Sequence, residues 1–241
     1  MANPFARYAG KTVAVTGAGG YIGAVLVAAL QETPARILRV SRRELKPLAG
    51  IETFKGDVRD SDCWNEIVAK ADVVFHLAGN ASLYSAARDP AGSVCSTLLP
   101  VTHLVAAAQK EGRRPRVVFA STATVYGLTP VLPVSEDAPA APITNYDLHK
   151  LYTEKQLELA SVQGILDGVS LRLANVYGPS TSAVGADDRG VLNRIARMAI
   201  AGTDLKLYGD GNYLRDYIYV EDVVQAFMLA GAQDGVVGRT F

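Results

Sequence analysis

Cysteine is scarce in this chain, with two among 241 residues, Cys63 and Cys95, and no C-x-x-C spacing. A disulfide scaffold and a cysteine-ligated zinc site are thereby excluded, a reducing compartment is expected, and both thiols read as small buried apolar residues. Histidine is nearly as thin: His76, His103 and His149 form no metal-ligand spacing, so no metal is expected. No sign of charge is in excess, because Lys+Arg and Asp+Glu stand at 24 each. Without a global field the chain selects neither nucleic acid nor an anionic membrane, and any anion it binds is held locally. The first residues, Met1 to Tyr8, lack an apolar signal core. No run approaches the roughly 18 apolar residues of a membrane span. Together these absences predict a cytoplasmic protein with neither a nucleic acid nor a membrane partner.

What is present is a composition of 49% apolar and 20% charged residues, in the range of a large α/β domain. Strand-like runs at 12–16, 37–41, 53–54, 73–77, 117–120 and 170–173 alternate with amphipathic stretches near 23–31, 61–70, 94–111 and 146–161. Such alternation builds a doubly wound parallel sheet of Rossmann type covered by helices on both faces. Beyond Gly178-Pro179 an irregular stretch, Ser180–Arg189, precedes a helix near 190–201, a short strand at Leu205–Tyr208, a Gly-Asp-Gly turn at 209–211 and a helix from about Glu221. These later elements are expected over the carboxyl ends of the strands, where ligands of open α/β sheets bind. The expected division is a dinucleotide-binding domain over 1–174 and a smaller substrate lobe over 175–241, partly interleaved with the core. Gly238–Phe241 reads as the opening of a further strand, which makes that lobe incomplete at its C-terminal end.

Val13-Ala-Val-Thr-Gly-Ala-Gly-Gly-Tyr-Ile-Gly23 carries the first chemistry. An apolar strand runs straight into closely spaced glycines and then an apolar helix. Gly17 and Gly20 let the backbone turn and approach a pyrophosphate, Gly23 lets the helix pack on the strand, and first-turn N–H groups face the anion. Downstream, Tyr146 and Lys150 are four apart, so on a helix they share a face. A phenol becomes a base near neutral pH only when a cation stabilises its phenolate, which Lys150 and an oxidised nicotinamide can do together. Thr122, at the end of Val117-Val-Phe-Ala-Ser-Thr122, is placed to orient a reacting hydroxyl toward Tyr146. Each feature also has a plain structural reading: a tight turn, an exposed helix, a hydroxyl capping a strand end.

Thr16-Gly-Ala-Gly-Gly-Tyr-Ile-Gly23, Gly56-Asp-Val58, His76-Leu-Ala-Gly79, Ser121-Thr-Ala-Thr-Val-Tyr-Gly127, Tyr146–Lys150, Arg172-Leu-Ala-Asn-Val-Tyr-Gly-Pro179 and Arg215-Asp-Tyr-Ile-Tyr-Val-Glu-Asp222 occur in one order. Together they resemble the extended short-chain dehydrogenase/reductase family, and more narrowly its NAD-dependent epimerase/dehydratase branch acting on nucleotide sugars. The resemblance implies Thr122, Tyr146 and Lys150 as the catalytic group, with Lys150 also holding the nicotinamide ribose. It implies cofactor contacts from Gly17, Gly20, Tyr21, Ile22 and Gly23, from Asp57 and Val58 at the adenine edge, and from Leu77, Ala78 and Gly79 beside the phosphates. Thr122 and Thr124, with Asn175 and Arg215, are implied on the substrate side, Arg215 as a guanidinium fork on the diphosphate. His76 is expected to be a packed residue rather than a catalyst. Tyr213, Tyr217 and Tyr219 are expected in core or pocket wall. Relatives often pair as homodimers through helices equivalent to 94–111 and 146–161, whose candidate stripes here are Val101, Leu104, Val105 and Ala108, and Leu148, Leu151, Tyr152 and Leu159.

Two departures refine the expectation. After the second strand the chain reads Val40-Ser-Arg-Arg43, where NAD-specific members carry a carboxylate for the ribose 2′-hydroxyl. Ser41 with Arg42 or Arg43 would attract a 2′-phosphate, so NADP(H) is favoured over NAD(H). Sugar-nucleotide dehydratases of the family carry Asp-Glu after the catalytic threonine, to supply an acid for the leaving hydroxyl. Ala123-Thr124 stand there instead. The expected activity is therefore a nucleotide-sugar 4-epimerase, and the alternative is an NADPH-dependent reductase of a nucleotide-linked keto-sugar. From a different class comes a cofactor-binding regulator without chemistry, which intact Thr122, Tyr146 and Lys150 argue against.

Overall fold

The computed structural model describes residues 4–79, 82–179, 191–206 and 214–241. Six strands form one parallel sheet: β1 (Thr12–Thr16), β2 (Arg36–Ser41), β3 (Glu52–Lys55), β4 (Val73–His76), β5 (Arg116–Thr122) and β6 (Asp167–Leu173). Their spatial order is β3-β2-β1-β4-β5-β6, so the winding reverses between β1 and β4. At such a reversal the chain leaves β1 and β4 toward opposite faces, and a crevice opens at their carboxyl ends. The doubly wound sheet expected from the alternation is thus present.

The pleat divides the core. Val13 and Val15 point to one face, with Phe75, Val118 and Phe227, beneath α1 (Tyr21–Leu30) and α7 (Val220–Ala232). Ala14, Val74, Val117 and Phe119 point to the other, beneath α2 (Ser61–Lys70), α4 (Pro90–Glu111) and α5 (Asn145–Val162). Trp64 and Phe227 are fully buried, one on each side. At about 25 cal/mol per Å² and roughly 150–250 Å² each, such rings contribute about 4–6 kcal/mol apiece to burial. A short α3 (Leu83–Arg88), capped by Ser82 through the N–H of Ser85, was not legible in the sequence.

The later chain is less regular than expected. A pair of three-residue strands, β7 (Asn175–Tyr177) and β8 (Tyr217–Tyr219), forms a separate parallel sheet that periodicity had not marked. α6 (Val191–Ile200) lies where a helix was expected. Leu205 and Lys206 are irregular rather than strand, while residues 180–190 and 207–213, including the expected Gly-Asp-Gly turn and Tyr213, lie outside the described residues. Gly238–Phe241 does return to the sheet: Phe241 N donates to Ser170 O at 3.0 Å and Arg172 N donates to Phe241 O at 2.7 Å, the opening of a strand beside β6.

Three sequence expectations need correction. Cys95 is exposed on α4, and Cys63 alone is buried. α4 is long and apolar enough to cross a membrane by length and composition. No Asp, Glu, Lys or Arg interrupts it before Lys110, while its Ser and Thr hid the run from a search for apolar residues. Here its Val101, Leu104 and Ala108 are buried under the sheet, so these three side chains cover the core.

Candidate active site

Glycine lets the turn after β1 close where side chains would collide with backbone. Gly17 has φ +69, and a Cβ there would stand 2.8 Å from Ala78 N. A Cβ on Gly23 would stand 2.3 Å from Gly17 O, and one on Gly20 3.1 Å from the same atom. Leaving β1, the chain therefore folds tightly against the loop after β4, and α1 starts at Tyr21 with Gly20 as an N-cap that offers no side-chain bond. Its first-turn N–H groups are left to face an anion. Tyr21 and Ile22 stand half-buried in that turn. The Tyr21 hydroxyl donates to Gly178 O at 2.8 Å, and Asn193 Nδ2 reaches the same oxygen at 3.3 Å, which stitches α1 to the stretch after β7 and to α6.

Thr16 and His76 fix the two loops to each other. Ala78 N donates to Thr16 Oγ1 at 3.2 Å, and that oxygen lies 2.8 Å from His76 Nδ1. The Thr16 oxygen can accept from the amide and still either donate to or accept from Nδ1, so this contact fixes the ring in place for either tautomer. His76 lies edge-on to Trp64 and stacked on Phe119. Burial, with Lys150 second, brings its pKa down to about 3. Such an imidazole stays neutral and packed, as expected. Leu77 and Ala78 continue half-buried from it, and Gly79 is exposed.

Where the adenine edge is expected, Val58 is buried and its carbonyl accepts from Trp64 Nε1 at 2.7 Å. Asp57 is held in a fork by Arg59, whose Nε and Nη2 donate to Oδ2 at 3.0 and 2.6 Å. The Arg59 hydrogen bonds hold the Asp57 carboxyl below its usual range, against the burial that would raise it. Arg59 was not anticipated, although the Gly56-Asp-Val-Arg59 spacing puts it next to the carboxylate. Ser41 ends β2, accepts from Arg43 N at 3.2 Å, and shares its exposed turn with Arg42, whose Nη1 lies 3.9 Å from Asp57 Oδ2.

Thr122, Tyr146 and Lys150 meet at the end of β5. Lys150 Nζ donates to Ala120 O at 2.7 Å, 4.5 Å above the Phe119 ring and 5.8 Å from the centre of the Tyr146 ring. Burial lowers its pKa to about 8, against the pull of Glu154. Tyr146 hydrogen-bonds Thr122; burial and then the adjacent Asp147 push its phenol up to about 12, with the Thr122 bond opposing. The ammonium therefore does not by itself make Tyr146 a base near neutral pH. Thr124, expected on the substrate side, donates its hydroxyl to Asp147 Oδ1 at 2.5 Å and lies 2.8 Å from Thr122 Oγ1. Behind this group, Ser121 donates to Glu154, and Arg172 pairs with Glu154 at 2.7 Å while lying 4.6 Å over the Tyr126 ring.

The two remaining substrate-side candidates are not drawn into this cluster. Asn175, on β7, donates from Nδ2 to Asp216 O at 2.8 Å, and Arg215 stands exposed just before β8 with Nη1 on Leu214 O at 2.9 Å. Tyr217 and Tyr219 pack against Tyr177 as a wall of that small sheet. An open groove of about 460 Å³, lined by Leu151, Lys155, Arg172 and Thr240 among others, lies outside the glycine turn and does not mark the cofactor crevice.

A glycine turn at the switch point of a doubly wound sheet, with threonine, tyrosine and lysine at the neighbouring strand end, defines a dinucleotide-dependent enzyme of the extended short-chain type. The chain belongs to the NAD dependent epimerase/dehydratase family, whose model matches residues 13–241. It is 34% identical over 231 residues to a UDP-glucose 4-epimerase of Mycolicibacterium smegmatis, covering 92% of this chain and 73% of that protein. Its fold is similar to a UDP-glucose 4-epimerase of Thermotoga maritima solved with UDP-glucose (TM-score 0.85, 29% identity, 95% of this chain and 75% of that one). It is also similar to a Thermus thermophilus UDP-glucose 4-epimerase in complex with NAD (TM-score 0.83, 28% identity, 95% and 76%). At Gly17 and Gly23 the space a Cβ would take is filled by backbone of Ala78 and Gly17, so the turn can lie this close to the loop after β4 only with glycine at both positions.

Proposed function

We propose that this chain is a nucleotide-sugar 4-epimerase that works through transient oxidation of the sugar at C4. The observation that carries the reading is the meeting of Thr122, Tyr146 and Lys150 beside the Gly17–Gly23 turn. The UDP-glucose 4-epimerases among its relatives support the substrate class. When bound, the nicotinamide accepts the C4 hydride and gives it back. Tyr146, with Thr122 orienting the carbinol, takes the C4 hydroxyl proton as the hydride leaves. After the 4-keto sugar has turned over, Tyr146 returns the proton as the hydride arrives on the other face. Net oxidation is zero. Lys150 holds the ribose side and keeps a positive charge near the phenol, while Asn175 and Arg215 serve the diphosphate and sugar. Ala123 and Thr124 offer no carboxylic acid for eliminating water, which favours epimerisation over dehydration.

Residues 1–174 serve the cofactor and 175–241 the substrate side, with α7 shared with the core. The finer cofactor preference is NADP(H): no carboxylate stands at the end of β2, where Ser41, Arg42 and Arg43 can attract a 2′-phosphate. NAD in the Thermus relative weighs the other way, and equal affinity for the two dinucleotides in a titration overturns the preference. The exposed Leu148, Tyr152 and Leu159 on α5 support a homodimer, which light scattering checks. The absence of a charge field or cysteine framework supports a cytoplasmic setting without nucleic acid or membrane.

The test is purified protein mixed with UDP-sugars, with and without NADPH. Interconversion of C4 epimers without loss of the reduced-nicotinamide band is expected, with Tyr146→Phe slowing it by about 10²–10⁴-fold. Stoichiometric consumption of NADPH makes the chain a reductase instead.

A further inference from the structure

α6 buries no side chain fully, and among the described elements none packs closely along it. A helix seated in this way depends on point contacts, and Asn193 supplies a two-point one. Its Oδ1 accepts from Gly178 N at 3.3 Å and its Nδ2 donates to Gly178 O at 3.3 Å. Turned over, the carboxamide would set donor against donor and acceptor against acceptor, so the backbone of Gly178 fixes its orientation.

Gly178 is held from two further sides. Its carbonyl accepts a shorter bond, 2.8 Å, from the hydroxyl of Tyr21, the first residue of α1. Burial raises the Tyr21 pKa, against a hydrogen bond with Asn193, so the phenol stays a donor. Gly178 itself has φ +124, and a Cβ there would stand 2.7 Å from Tyr219 Cε2, so glycine brings this backbone against β8. One residue thus joins the first turn of α1, the end of β7 and α6.

The geometry points to Tyr21 and Asn193 as positioning residues that couple the two ligand sites through Gly178: a dinucleotide that steadies the first turn of α1 also steadies β7 and α6 for the nucleotide sugar. This rests on the assignment of the glycine turn to the dinucleotide and of 175–241 to the substrate side. A pyrophosphate held by the first-turn N–H groups fixes the backbone that carries the phenol. Ordering done by one ligand is then not charged to the other, and the gain is reciprocal. A stitch that only stabilised the fold would act equally with and without ligand.

The experiment follows hydrogen exchange of the α1 and α6 amides with and without saturating NAD, and again with NADP. It needs neither substrate nor turnover, so absence of epimerase activity is distinct from absence of coupling. In the native chain the dinucleotide is expected to slow α6 as well as α1, by about fivefold or more. Slowing in α1 marks the site as filled. Tyr21→Phe leaves Asn193 on Gly178 but removes the phenol; its α6 is expected to exchange as in the native chain without dinucleotide and to lose most of the dinucleotide-dependent slowing. Asn193→Leu, similar in size and without either bond, is expected to exchange fast in α6 in both conditions while α1 still responds, and it decides the matter if Tyr21→Phe no longer binds. An α6 that ignores the dinucleotide in the native chain, or that slows equally in either variant, overturns the proposal and leaves the stitch a fold contact. UDP titrated into the same proteins reads the reciprocal side: bound dinucleotide should tighten UDP about fivefold or more in the native chain and less than about twofold in Asn193→Leu. An equal gain in both overturns the coupling, whereas no UDP binding by either counts against the nucleotide-sugar reading and leaves the exchange result to decide the coupling.

Discussion

Lys150 donates to the carbonyl of Ala120 across 2.7 Å, which seats an ammonium in the dry space between β5 and α5. A lysine this deep is held against its own solvation, and burial brings its pKa from 10.5 to about 8. Between those two values the unfolded chain binds a proton that the folded chain does not, so stability rises with pH through that window. Below about pH 8 both states are charged and the burial cost is fully felt. Chemical denaturation at about pH 8 and about pH 10 should show the native chain gaining stability relative to Lys150→Met, by of order 1–3 kcal/mol. A constant difference between the two proteins would mean that Lys150 is not desolvated.

Glu154 is the counter-charge that makes this tolerable. It is 2% exposed and held by Arg172 and Ser121, so the pair sits directly behind Thr122 and Lys150. Removing one partner of a buried pair strands the other. Glu154→Gln should therefore cost about 3–5 kcal/mol, whereas the double replacement Glu154→Leu with Arg172→Met should recover most of it. Urea melts of Glu154→Leu, Arg172→Met and the double replacement beside the native chain measure this, and full additivity of the two single losses would contradict a coupled pair.

How far the site was legible follows from which spacings are local. Gly17 to Gly23 and Tyr146 to Lys150 lie within one turn-and-helix or one helix, so sequence distance translates directly into space. The six strands of the sheet were legible because buried β-branched runs alternate with helical periods. Asp147 and Thr124 are 23 positions apart, and only the way the 3₁₀ turn at Ala123–Tyr126 comes back against the start of α5 joins them. The same holds for Arg172 and Glu154, on β6 and α5. The carboxylate that holds Thr124 accordingly went unseen. α3 with six residues and β7 and β8 with three each are too short to show a period. Charge alone would have directed attention to Arg59, beside Asp57 in sequence.

His76 is one named source of acid lability. Its folded pKa is about 3 against 6.5 in the unfolded chain, mainly through burial. As pH falls through 6.5 the unfolded state takes up a proton that the folded state refuses, so stability drops progressively toward pH 3. His76→Phe keeps a ring between Trp64 and Phe119 but removes the titration. Its stability should fall less steeply below pH 6.5, by about one proton in the slope, although it loses the Thr16 bond at every pH. Parallel acid-unfolding curves for the two proteins would show that His76 can be protonated in place.

The glycine turn makes the sharpest stability contrast. Gly17, Gly50 and Gly112 all have positive φ, at +69, +73 and +60, so alanine at any of them meets the same left-handed backbone cost of about 1–2 kcal/mol. At Gly50 and Gly112 nothing lies within 4 Å of the added Cβ, and that cost should be the whole effect. At Gly17 the Cβ would press on the backbone of Ala78, and at Gly23, where φ is ordinary, it would stand 2.3 Å from Gly17 O. Backbone cannot swing aside as a side-chain tip can. Gly17→Ala and Gly23→Ala must therefore move the β1–α1 turn off the loop after β4, and should lose at least tenfold in dinucleotide affinity together with about 2–4 kcal/mol of stability. Gly50→Ala and Gly112→Ala should keep native affinity. Isothermal titration with NAD and NADP, beside thermal melts, separates the two classes; a Gly23→Ala protein that binds as the native chain does would show that the turn is not built to the tolerance its contacts imply.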